Sequence, residues 1–265
     1  RAEAAGKAEH LVAAEAGKLA DALPKELLAL VGAPLREDGK LYNAALLFHG
    51  GRRAAVARKM LLPNYGVFDE RRIFAPGAAP LVFEFKGARL AVHVCEDSWW
   101  PEGESFRGLK GACDVLVNLS ASPYCRGREN DREEMARRAT AALGAPMLYT
   151  NVVGGQDELV FDGGGMAVAA DGTVLARTEL FREGMALVEE TPGFHGREYN
   201  TWLRGDGFFI ELQTPRRGES LARPEGEVWL LLAVISDTGL GVTDAKLEYI
   251  FVPFTQEAAS TTRRF

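Results

Sequence analysis

Cys95, at the end of an apolar run, is the residue of this chain best placed to do chemistry. In AVHVCEDSWW, residues 91–100, Ala91, Val92 and Val94 are apolar on both faces, as in a buried parallel strand, and the polarity change at Glu96-Asp97 marks its end. Cys95 then sits at a strand's carboxyl edge, where open α/β sheets keep their ligand sites, so its thiol is a nucleophile candidate. The competing possibility is that cysteine is a small apolar residue that favours interiors whatever its chemistry. Lys59 closes the strand pattern RRAAVARKM. A lone lysine at a strand end is usually a solvated charge.

The elements that must position that thiol follow from periodicity. Leu11, Val12, Ala16, Leu19 and Leu23 stand at helical spacing over residues 1–23, and Pro24 ends the helix. LLALVGA at 27–33 and NAALLF at 43–48 read as strands, and Gly50-Gly51 turns the second into a hairpin. Residues 61–71 are rich in turn formers. Past Cys95 the pattern predicts a helical stretch that includes Leu109 and Ala112, a strand over 114–122, and a helix over 129–143. That helix buries Met135, Ala136, Ala139 and Leu143. A strand over 146–153 and a hairpin over 164–176, turned by Asp171-Gly172, complete the series. Strands alternating with helices, with antiparallel pairs mixed in, predict a layered α/β sheet.

Composition narrows the function classes. With 47% hydrophobic residues and a net charge of -6, the chain has a core to bury and no basic footprint for nucleic acid. Three cysteines without metal spacing suit a reducing compartment, and a cytoplasmic protein is expected, since neither a membrane-length apolar run nor a signal peptide is visible. His49 and His93 are scattered and receive no catalytic or metal role.

Four segments carry a resemblance. KMLLPNYGVFDERRIFAPG, VHVCEDSWWP, NLSASPYCRGRENDR and NVVGGQDELVFDGGG stand in the order and spacing of the glutaminase domain of glutamine-dependent NAD synthetases, a branch of the nitrilase superfamily. The resemblance implies a nitrilase-type α-β-β-α sandwich over residues 1–190. It implies Cys95 as the nucleophile on the glutamine side-chain amide and Lys59 as the catalytic lysine. An ammonium near the thiol lowers its pKa and donates to the oxygen that gains charge, so Lys59 would serve both activation and oxyanion stabilisation. Tyr65, Ser122 and Arg128 fall where the family holds the amino-acid end of glutamine, although lysine is commoner there than Arg128. Phe68 and Glu70 look like pocket residues, Glu70 being a second acid near the thiol. Asp157 and Glu158 fit a pocket and a solvated turn equally. The glutaminase step needs no cofactor, and self-association into a homo-oligomer is implied.

Two departures shape the expectation. The family's triad is Glu, Lys and Cys, and no motif here supplies that Glu. Roughly the first fifth to quarter of the family's domain, with its opening strand, helix and second strand, is therefore expected to be missing, and Glu3 and Glu9 are poor substitutes. Loss of a general base lowers rates by on the order of 10² to 10⁴. The ATP- and magnesium-dependent synthetase domain that would amidate deamido-NAD is also not seen. Instead VWLLLAVISDTGLGVTDAKLEYIFVPFTQ resembles the ATP-binding domain of sensor histidine kinases, with Asp237, Gly239 and Gly241 in its DTGLG box. Residues 207–265 are thus expected to be a partial α/β fragment of that type, behind a junction at 191–206 without readable pattern. The Asn-bearing helix and Gly-rich lid of those domains are not seen, so ATP binding is not expected. The main expectation is an impaired glutamine amidohydrolase; the alternatives are an ATP-binding signalling module or an inactive chimera.

Overall fold

In the computed structural model, residues 27–156 and 158–182 are described in full, with Lys18, Asp21 and Lys25 and the backbone of strands at 185–188, 198–204, 207–213 and 232–235. The helix expected over 1–23 lies almost wholly outside the described residues.

Short apolar runs, buried at residues 28–30 and 44–48, build the first sheet. Strands β1 (Leu28–Glu37), β2 (Lys40–His49) and β3 (Arg52–Arg58) form an antiparallel meander with Gly50-Gly51 as the second turn. β1 and β2 run past the predicted bounds because the hairpin pairs Glu37 with Lys40, beyond the apolar stretch that marked them. Continuous apolar runs build the second sheet, as expected for strands buried on both faces. Strands β4 (Leu81–Phe85), β5 (Ala88–Val94), β6 (Val115–Ser120) and β7 (Met147–Asn151) lie side by side, and β5, β6 and β7 are parallel. The helix α1 (Arg128–Leu143) makes the crossover from β6 to β7. Strands β8 (Val153–Gln156) and β9 (Leu159–Asp162) form a separate hairpin. Strands β10 (Met166–Val168) and β11 (Val174–Arg177) extend the second sheet beyond β7.

Leu28 and Leu30 of β1 and Ala45 and Leu47 of β2 share one apolar cluster with Leu90, Val92 and Val94 of β5, so the two sheets pack face to face. Met135, Ala136, Ala139 and Leu143 join the same cluster from α1, which covers the second sheet. The described layers are therefore sheet, sheet and helix, an α/β sandwich with mixed sheets.

One expected element is different. Around Leu109 and Ala112 there is a 3₁₀ turn at Glu104–Phe106 followed by successive hydrogen-bonded turns, not an α-helix. Gly108 and Gly111 both take positive φ, 75° and 73°, which stops helical propagation while Leu109 still reaches the core at 1% exposure.

Beyond residue 182 only strand backbones are described. Strands β12 (Met185–Val188), β13 (Glu198–Arg204) and β14 (Gly207–Gln213) pair antiparallel, so the junction without readable pattern contains a strand and residues 207–213 form the next one. Strand β15 (Leu232–Ile235) runs parallel to β1 at the edge of the first sheet. No helix among the described residues is long and apolar enough to cross a membrane.

Candidate active site

Cys95 opens a 3₁₀ turn, Cys95–Ser98, immediately after β5. Its φ is +48°, a conformation that costs a residue with a Cβ about 1 kcal/mol and that is held by surrounding bonds. Asn118 Nδ2 of β6 donates to Cys95 O at 3.0 Å and to Ser98 Oγ at 2.6 Å, and Ser120 Oγ donates to Asn118 Oδ1 at 2.7 Å. Ser98 Oγ lies 3.0 Å from His93 Nδ1, and His93 Nε2 lies 2.9 Å from Ser105 O. A carbonyl only accepts, so Nε2 carries the proton and Nδ1 accepts from Ser98. His93 is thus a buried neutral brace behind the turn; burial lowers it to about 4.

Lys59 is not solvated. Its side chain is 1% exposed and its Nζ lies 2.7 Å from Glu70 Oε1. Lys59 N donates to Asn43 O at 2.8 Å, and Gly77 N donates to Lys59 O at 2.8 Å. A Cβ on Gly77 would collide with Arg58 O, so only glycine lets that loop lock the strand end. Glu70 Oε2 is buried without a hydrogen-bond partner. Glu70, expected as an acid near the thiol, is first of all the partner of the lysine.

These charges act on the thiol. Burial pushes Cys95 above its ordinary pKa, the Lys59 ammonium pulls it down, and the Glu70 and Glu96 carboxylates add to the rise. The expected thiolate is thereby corrected: Lys59 acts in the predicted direction, but desolvation wins and the resting group is a thiol.

Of the remaining predicted residues, Tyr65, Phe68 and Arg128 gather at a mouth near Cys95, and the charges of Cys95 and Arg128 both act on the Tyr65 hydroxyl. Tyr65, 58% exposed, donates from its hydroxyl to Glu96 Oε1 at 2.9 Å and stacks edge-on against Phe68 at 5.8 Å. Burial of its hydroxyl and the bond to Glu96 raise Tyr65 to about 12. Arg128, the first residue of α1, lies over the Trp99 ring at 5.6 Å, and its charge reaches Tyr65. Ser122 is buried: its N–H donates to Asn151 Oδ1 at 2.7 Å, and its carbonyl accepts from Arg132 Nη2 at 2.9 Å. A cleft of about 630 Å³ opens beside Tyr65 and Glu96, lined also by Met60, Leu61 and Trp100.

Other candidates do not join. Glu158 is exposed on the β8–β9 turn, and Asp157, Asp237, Gly239 and Gly241 lie outside the described residues. His49 bonds Leu27 O at 3.0 Å, remote from the thiol's turn. No three His, Cys, Asp or Glu side chains among the described residues gather as a metal site.

Four side chains around the site were passed over in the sequence. Glu96 and Asp97 had marked only the end of a strand, although two carboxylates directly after a candidate nucleophile are themselves a signal. Arg132 and Asp162 form a fully buried ion pair at 2.7 Å, each 1% exposed, that holds Ser122; neither differs in sequence from a solvated helix or turn charge.

Residues 4–192 match the family model of carbon-nitrogen hydrolases. A glutamine-dependent NAD(+) synthetase of Synechocystis sp. is 37% identical over 187 residues, covering 64% of this chain and 34% of that protein. The solved glutamine-dependent NAD+ synthetase of Acinetobacter baumannii, 34% identical with a TM-score of 0.57, covers 61% of this chain and 31% of its own. A mutant of an amidase of Nesterenkonia sp. AN1, 25% identical with a TM-score of 0.56, covers 65% of each chain; that mutant's structure carries the acetamide moiety of fluoroacetamide added covalently at the active-site cysteine. This chain spans about a third of the length of the curated relatives it matches.

Proposed function

Because the chain belongs to the carbon-nitrogen hydrolase family, we propose that it hydrolyses the side-chain amide of glutamine, with Cys95 as nucleophile and ammonia as the product passed on for NAD synthesis. The observation that carries this is the buried Lys59–Glu70 pair whose charges act on a strained cysteine at the end of β5. The relatives' dependence on glutamine and the covalent adduct on the amidase cysteine support the choice of substrate class and nucleophile.

The amide carbon receives the Cys95 sulfur, and the Lys59 ammonium faces the oxygen that becomes negative. The thiol proton is taken up by a carboxylate and returned to the departing nitrogen, so ammonia leaves and a glutamyl thioester remains. Water then adds to the thioester carbonyl, releasing glutamate and restoring the thiol. Glu70 holds Lys59 in place and is, among the described residues, the carboxylate nearest in role to a base. At the mouth, the Arg128 guanidinium suits the α-carboxylate of glutamine, while Glu96 and the Tyr65 hydroxyl suit its α-ammonium. Phe68 and Trp99 supply apolar walls.

The test is glutamate release from glutamine by the full chain, with Cys95→Ala as the blank. Release that disappears in Cys95→Ala supports the proposal; a wild-type chain that neither releases glutamate nor has Cys95 protected by glutamine against iodoacetamide overturns it.

A further inference from the structure

Lys59 and Cys95 come from different sheets: Lys59 follows β3 of the first and Cys95 follows β5 of the second. No strand pairing fixes their separation, so something else must. Asp97, 3% exposed, accepts three backbone N–H groups. Its Oδ1 accepts from Met60 at 3.0 Å and Leu61 at 2.8 Å, and its Oδ2 accepts from Val94 at 3.2 Å. Met60 follows Lys59 in the chain and Val94 precedes Cys95. One carboxylate therefore ties the backbone beside the lysine to the backbone beside the thiol. Its own backbone is held too, because Ser105 Oγ donates to Asp97 O at 2.7 Å.

We propose that Asp97 is a positioning residue that sets the distance between the Lys59 ammonium and the Cys95 thiol across the two sheets. Its catalytic consequence rests on the hydrolase function proposed above; its geometric consequence does not. Hydrogen bonds to a buried carboxylate are stronger than neutral ones, and a displacement of about 1 Å in a reacting pair costs about 10²-fold in rate. Burial raises Asp97 to about 6 even against its three donors, so the fold keeps a costly group here. In Asp97→Asn one oxygen becomes an amide nitrogen. That nitrogen must face an N–H, either at Met60 and Leu61 or at Val94, so one half of the tie is released.

The experiment compares the full chain with Asp97→Asn, Lys59→Met and the control Asp114→Asn. Asp114 makes a similar tie, accepting from Arg89 N at 2.8 Å and Arg89 Nη2 at 2.8 Å, at the opposite end of β5 and β6. Iodoacetamide alkylation of the Cys95 peptide is followed against pH. The midpoint should rise in Asp97→Asn toward that of Lys59→Met and stay at the wild-type value in Asp114→Asn, even where the melting temperatures fall alike. Glutamate release should drop about 10²-fold in Asp97→Asn, mostly in kcat. An unshifted midpoint in Asp97→Asn, or an equal shift in Asp114→Asn, overturns the assignment. Alkylation needs no glutamine, so the midpoints judge Asp97 even if the wild-type chain releases no glutamate. Amide exchange in the wild-type chain judges it without any variant: Met60, Leu61 and Val94 should be protected together, and free exchange at Met60 and Leu61 counts against it.

Discussion

Lys59 Nζ lies 2.7 Å from Glu70 Oε1 with the lysine side chain 1% exposed, so the positive charge that acts on Cys95 is one half of a buried ion pair. Removing either half leaves the other without compensation, which is costlier than removing both.

Glu70→Gln should lose about 3 kcal/mol of stability, because Lys59 becomes a buried cation without counter-charge. Glutamate release should fall by about 10²-fold or more. The double replacement Lys59→Met with Glu70→Leu should recover stability and remain inactive. Urea denaturation read beside the glutamate assay separates the two effects.

The backbone at Cys95 makes a prediction independent of its thiol. Both Cys95→Gly and Cys95→Ala are expected to be inactive, but a φ of +48° suits glycine and strains alanine. The glycine variant should be the more stable of the two by up to about 1 kcal/mol in chemical denaturation. A more stable alanine variant would show that the turn relaxes once the thiol is gone.

Acid stability should depend on two buried groups of opposite sign. His93 is lowered from 6.5 to about 4, so it contributes stability that is present above pH 6.5 and lost as pH falls through about 4. Asp97 is raised from 3.8 to about 6, so its contribution is present below pH 3.8 and lost as pH rises through about 6. Each amounts to on the order of 3 kcal/mol, and the two slopes offset between about pH 4 and 6. Asp97→Asn should therefore lose stability more steeply than wild type on acidification through that range, and His93→Gln less steeply. Urea midpoints measured at several pH values check both signs.

Arg132 should matter to glutamine binding without touching it. Its guanidinium joins Asp162 to the carbonyls of Ser122 and Pro123, at 2.7, 2.9 and 3.2 Å. Arg132→Met should cost about 3–5 kcal/mol. It should also raise the KM for glutamine more than it lowers kcat, with iodoacetamide labelling of Cys95 nearly unchanged. Loss in kcat alone would mean that Ser122 does not hold substrate.

Much of the framework was legible in local pattern. The apolar run ending at Glu96 located β5 and put Cys95 at its carboxyl end, and the spacing of Met135, Ala136, Ala139 and Leu143 located α1, because strand and helix periods are local properties of a chain. The stretch around Leu109 misled for an equally local reason: its apolar residues have helical spacing, but Gly108 and Gly111 prefer positive φ. The expected roles of Asp237, Gly239 and Gly241 fall on residues beyond those described.

By itself the sequence determined which residues could react and at which strand ends they stand, since side-chain chemistry and hydrophobic period are both written in order along the chain. Only the tertiary structure decided their electrostatic state. Whether Lys59 is solvated or paired, whether Cys95 rests as thiol or thiolate, and whether Asp97 and Arg132 are surface charges or buried ties all depend on what the fold brings against them: Glu70 from the turn after β3, the backbone beside Lys59, and Asp162 of β9. Desolvation and hydrogen bonding come from neighbours distant in sequence, and no spacing rule carries that information.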